Sequence, residues 1–212
     1  MKTNQHGWFC GKKVSTLQLS ACALLLASCS LPQAQPDPTR FYLLAMPERA
    51  APEAALKTAS VCLRPVELAN YLKAKPMVVR RGTNEIEFRE YARWGEPLEL
   101  GVSRVLREAL LERGAARVVL TSGLRASEAD CPNELTVRML ACEGGADGAV
   151  LFHAVWEIST TGANPAIASR GDFRATGLKW DGKNESSLAA ALSQAVVALG
   201  GEITTGMANA AR

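Results

Sequence analysis

Six cysteines and two histidines hold most of the reactive side chains of this 212-residue chain. Cys29 stands apart by its neighbours. It follows the apolar block Ala23-Leu24-Leu25-Leu26 after only two small residues, Ala27 and Ser28. A cut before it would make its thiol and a new amino group the first functional groups of the chain. His153 has a different setting, between Phe152 and Ala154 in an alternating stretch, which reads as a structural histidine within a strand. An enzyme requires a positioned acid, base or nucleophile, and beyond residue 28 only the lone His153 is on offer, too little to support an envelope hydrolase. No cysteine or histidine pair has metal-ligand spacing. Cys131 and Cys142 are too far apart for a CxxC, and no Gly-x-Ser-x-Gly elbow, Walker A or Rossmann glycine pattern is found.

The leader around Cys29 explains why that thiol matters. Met1 to Lys13 is polar and basic, and Val14 to Leu26 is a short apolar run. This is the composition of a secretory signal peptide, too short to span a bilayer as a permanent helix. Leu26-Ala27-Ser28-Cys29 resembles the lipobox of bacterial lipoproteins, in which the cysteine thiol receives a diacylglyceryl group and becomes the first residue after cleavage. Leu19-Ser20-Ala21-Cys22 matches by residue type as well. Its use would shrink the apolar core to Val14–Leu19 and leave the later apolar block in the mature chain, so length favours Cys29. An ordinary signal peptide or an uncleaved anchor are the other readings of the leader. Several acyl chains on Cys29 would hold firmly, whereas one binds only marginally. In such lipoproteins an aspartate after the cysteine implies retention in the inner membrane. Ser30 in that place implies the periplasmic face of the outer membrane.

Removal of the leader changes the charge balance. The whole chain has 24 basic and 21 acidic residues, and the two numbers become equal without Lys2, Lys12 and Lys13. A neutral chain with no dense basic block gives little footing to nucleic acid, whose binding requires phosphate neutralisation. Cys62, Cys131 and Cys142 remain as thiols. Export permits one disulfide among them. Cys131 and Cys142 flank an expected strand that would hold them well beyond the roughly 7 Å a disulfide tolerates. That leaves Cys62 with Cys131, Cys62 with Cys142, or three free thiols.

The elements follow from periodicity and turn chemistry. Residues 1–28 read as signal peptide, 29–39 as lipidated cysteine and Pro-rich tether, and 40–209 as one domain. Ser30–Thr39, stiffened by three prolines, would reach about 30 Å. Strands are predicted at Phe41–Leu44, Val61–Val66 and Met77–Arg81, with a helical turn over Glu67–Leu72 and a loop over Pro47–Ala59. Gly82-Thr83-Asn84 then turns the chain into the alternating Glu85–Tyr91, forming a hairpin. After Pro97, the apolar residues Leu98, Val102, Val105, Leu106, Ala109 and Leu110 recur at helical spacing up to Gly114. Arg117–Leu120 is a strand and Thr121–Asn133 a polar loop. Leu135–Ala141 and Ala149–Ile158 form a second hairpin around Gly144–Gly148, and Ile167–Thr176 adds an antiparallel strand. Asn184 caps a last helix carrying Leu188, Leu192, Ala195, Leu199 and Ile203 on one face, which Gly200-Gly201 should weaken. The class is α+β: one mostly antiparallel sheet with two main helices.

Several phrases between Val61 and Leu106 carry a resemblance. They are Pro65-Val66-Glu67-Leu68, Asn70-Tyr71-Leu72, Lys75-Pro76-Met77-Val78-Val79-Arg80, Asn84-Glu85-Ile86, Arg93-Trp94-Gly95-Glu96-Pro97-Leu98 and Arg104-Val105-Leu106. With Phe41-Tyr42-Leu43-Leu44 and the lipobox, their order and spacing resemble the PqiC (YmbA-type) family of ABC-transport auxiliary lipoproteins. Ala69 and Cys142 depart from it, where proline and an aromatic residue are more usual. The resemblance implies a non-enzymatic subunit without a cofactor. Its implied partners are an MCE-domain periplasmic protein with its permease and ATPase, which move lipids between inner and outer membranes and support envelope integrity. A freestanding periplasmic lipid- or peptide-binding lipoprotein is the alternative. Trp94, Glu96 and Tyr71 are candidate partner contacts; packing of Trp94 and Tyr71 in the core, with Glu96 at the helix dipole, is favoured. Lys73, Lys75, Arg80 and Arg81 could touch headgroups, but scattered charges read better as a solvated face.

Overall fold

The computed structural model describes residues 35–46, 60–121 and 131–210. Cys29, most of the tether, the loop expected over Pro47–Ala59 and most of the polar loop after Thr121 lie outside the described residues. Pro38 to Arg212 forms one compact unit.

In chain order the elements are β1 (Arg40–Tyr42), β2 (Val61–Leu63), β3 (Glu67–Leu68), a 3₁₀ turn (Asn70–Lys73), β4 (Pro76–Arg80) and β5 (Ile86–Trp94). Then come α1 (Leu98–Glu112), β6 (Val119–Thr121), β7 (Asn133–Gly145), β8 (Val150–Thr160), β9 (Ile167–Arg174) and α2 (Glu185–Ala210). The long strand β7 is the seam of the sheet. One of its edges pairs with β8 in an antiparallel ladder, and β9 extends that side. Its other edge takes β2, β3 and β4 one after another, each in short parallel register. β4 leads on to β5 and β1, and β2 to β6. The long ladders are antiparallel, and the parallel ones comprise two or three residue pairs each. The protein is thus a single α+β domain with a mostly antiparallel, curled sheet and two helices.

Both helices start and stop for local reasons. Glu99 and Glu185 place acid in the first turns, where the helix dipole favours it. Asn184 Oδ1 accepts from the Ser186 amide at 3.0 Å, capping α2. α1 ends on Gly114 at φ 64°. The Ala115 amide donates to Leu110 and that of Gly114 to Leu111, which is the Schellman pattern.

Two local expectations need correction. Glu67–Leu68 is strand, and the helical turn starts only at Asn70, because β7 offers Arg138 and Met139 as ladder partners. Gly144 and Gly145 belong to β7, not to the turn; the Trp180 ring lies against Gly144 and its indole N–H donates to the Gly145 carbonyl at 3.1 Å. Gly200-Gly201 lies inside α2, which runs on to Ala210. At Gly200 the missing side chain leaves room for Ala109 of α1, so the glycine marks a helix crossing. α2 is long and apolar enough to cross a membrane. In the fold, Leu188, Leu192, Val196, Leu199 and Ile203 are buried in the core that it shares with α1 and the sheet.

Candidate functional site

Trp94 closes β5 and is only 7% exposed. It packs with Leu98, Val102 and Leu44 in the core, beneath the point where α1 begins. Glu96, just before α1, pairs with Arg104 about two turns further on. The same Arg104 Nη2 donates to the Leu44 carbonyl at 2.8 Å. Trp94, Glu96 and Arg104 therefore fasten the start of α1 to the chain that follows β1.

Tyr71 is half-buried in the 3₁₀ turn and lies away from that fastening. Its hydroxyl donates to the Leu140 carbonyl at 3.2 Å. Burial, helped by the Glu143 carboxylate, pushes the phenol well above its usual range. Glu143 is fully buried in β7 and accepts from Arg80 Nε at 2.5 Å. Arg80 thus leaves the group of scattered surface charges, and Arg81 pairs with Glu87. The sequence reading missed Glu143. Its signal is a carboxylate next to the buried Cys142 in a strand otherwise apolar at its C-terminal end. His153 Nε2 lies 2.9 Å from Asp172 across the β8–β9 ladder, a cross-strand pair on the outer face.

The cysteines separate into two kinds. Cys62 and Cys131 form a disulfide with Cα atoms 5.5 Å apart, which ties β2 to the segment that leads into β7. Cys142 is a free, buried thiol; burial first, and Glu143 second, push it up to about 12. Among the described residues no cluster of His, Cys, Asp or Glu is placed to hold a metal.

Two of the surface grooves among the described residues combine apolar side chains with arginine. One, of about 580 Å³, crosses the outer face of β7, β8 and β9, with Arg138, Glu157, Arg170 and Asp172 around Val155. The other, of about 590 Å³, lies between α1 and β6, where Leu63, Leu100, Val118 and Leu120 are bordered by Arg64 and Arg107. The second is the more apolar, and β6 gives it an unpaired strand edge among the described residues. Arginine lines both.

Residues 42–204 match the family model for the ABC-type transport auxiliary lipoprotein component, and the chain belongs to that family. Two crystal structures share the fold. One, XCC0632 from Xanthomonas campestris, a DUF330 protein, superposes with a TM-score of 0.63 at 16% identity, covering 79% of this chain and 93% of its own. The other, described as an uncharacterized protein, gives 0.62 at 16% identity, covering 79% of this chain and 97% of its own. No curated protein matches the sequence.

Proposed function

We propose that this chain is a non-catalytic auxiliary subunit, lipid-anchored through Cys29 at the periplasmic face of the outer membrane. There it serves an ABC-type system with an MCE-domain partner that moves lipids between inner and outer membranes and so supports envelope integrity. The observation that carries this reading is the family match over 42–204, with a lipobox and a Pro-rich segment directly before it. The anchor fixes the domain to a membrane, the tether gives it about 30 Å of reach, and the grooves give it something to hold a partner with. The permease and the ATPase are other chains.

The test is complementation. Cells lacking the chain should become sensitive to detergent, and full-length protein should restore resistance. Cys29→Ala, exported but unlipidated, should fail. Full rescue by that variant would remove the anchor from the function, and no sensitivity in the deletion would remove the envelope role.

A further inference from the structure

Exposed apolar side chains are not spread evenly over this domain. Single ones need no explanation. Here, among the described residues, eight large apolar side chains are exposed, and four of them, Phe41 (67%), Leu43 (55%), Tyr91 (52%) and Phe88 (44%), belong to β1, its continuation and β5. The register shows how three of them, Phe41, Leu43 and Tyr91, share a face. Tyr42 pairs with Trp94, and both are packed toward the core. Phe41 pairs with Arg93 and so points the other way. Tyr91, two residues before Arg93 and next to the buried Ala92, lies on that same outer side. Leu43 is two residues beyond Phe41. Arg40 opens the strand, and β1 has a strand partner on one side alone among the described residues.

This corner is also where the tether enters. Arg40 is the first residue of β1, and Ser30–Thr39 separates it from Cys29. A tether that enters at β1 brings the surface around that point within reach of whatever holds the tether. Aromatic rings and leucine interspersed with charged residues, Arg40 and Arg93 and also Glu87 and Glu90, suit the boundary between headgroups and acyl chains, where apolar bodies bury and charged tips stay wet.

We infer that the β1–β5 corner is the domain's membrane-facing surface, seated on the phospholipid bilayer that receives the Cys29 lipid. The inference rests on the reading of Cys29 as the lipid-bearing residue, and it adds an orientation to it. Attachment alone lets the domain tumble. Phe41, Leu43 and Tyr91 dipping into the interface fix which face looks away from the membrane, toward a partner.

The experiment uses the full-length lipidated protein in vesicles of phosphatidylethanolamine and phosphatidylglycerol. A bimane label is placed singly at Phe41→Cys, Tyr91→Cys, Val118→Cys and Ile167→Cys. Val118 precedes β6, at the opposite end of the strand order from β1, and Ile167 begins β9. With brominated lipids, labels at 41 and 91 should be quenched at least about twofold more than those at 118 and 167, as expected for side chains entering 5–10 Å. Equal quenching at all four positions in protein that floats with the vesicles would overturn the orientation while leaving the anchor intact. Protein that does not float would overturn the anchor itself. A blue-shifted but unquenched label at 41 would mean that protein, not lipid, covers this corner.

Discussion

Gly171 lies directly across the β8–β9 ladder from Trp156, and a Cβ placed on it would come within 2.6 Å of the indole ring. Gly206 of α2 approaches the same ring from the helix side, with a Cβ position 2.2 Å from it. The two glycines make the slot in which Trp156 joins sheet to helix. Gly171→Ala and Gly206→Ala should each force the ring aside and cost about 1–3 kcal/mol, the usual range for overpacking. Gly82→Ala is the control, since nothing lies within 4 Å of its Cβ position. Urea unfolding of the three variants checks this, and equal midpoints would remove Trp156 as the joint.

The Cys62–Cys131 bridge closes a 69-residue separation. Chain entropy assigns a loop of that size about 4 kcal/mol of stability. Cys62→Ser should therefore lower the unfolding free energy by about 2–5 kcal/mol, and a reducing agent should do the same to the wild type without affecting the variant. Insensitivity of the wild type to reduction would show that the bridge does not form.

Cys142 should behave as an inert thiol. It is buried and holds its proton up to about pH 12, and the thiolate is the reactive form. A thiol reagent should leave it untouched in the folded protein at neutral pH and modify it once denaturant is added. Rapid modification under native conditions would contradict its placement.

Acid should loosen the β4–β5 hairpin, where Glu87 holds Arg81 and Arg89. Arg89 donates to Glu87 at 2.7 Å and also pairs with Glu185, the first residue of α2. Hydrogen bonds from Arg89, then from Arg81, hold the Glu87 carboxyl below its ordinary value. A carboxyl depressed in the folded state stabilises fully above its unfolded value of about 4.3 and loses that contribution as pH falls through the folded one. Tm should thus decline below about pH 4.3, and Glu87→Gln should make the decline shallower. The same slope in both proteins would exclude Glu87 as its source.

Local chemistry was legible in the sequence, and long-range pairing was not. Val102, Val105 and Leu106 announced α1 by spacing, Gly114 its end, Asn184 the start of α2, and Gly82-Thr83-Asn84 a hairpin, since each acts within a few residues. That β7 gathers β2, β3 and β4 along one edge is a relation between segments up to some tens of residues apart, and no periodicity encodes it. The glycines show the same divide. Gly200 reads in sequence as a weak point in a helix; in space it is the room that Ala109 needs. Cys29 could be proposed as the lipid-bearing residue from its neighbours alone, and it lies outside the described residues. Whether Trp94 faced a partner or the core depended on β1 and α1 arriving above it, and it packs in the core.

The measurement that bears most directly on the proposed role is affinity purification of the full-length, lipidated chain from detergent-solubilised envelopes, with co-purifying proteins identified by mass spectrometry. The account predicts enrichment of an MCE-domain protein together with its permease and ATPase. A chain recovered alone, or alone with a bound lipid, would contradict the auxiliary role and favour a freestanding carrier.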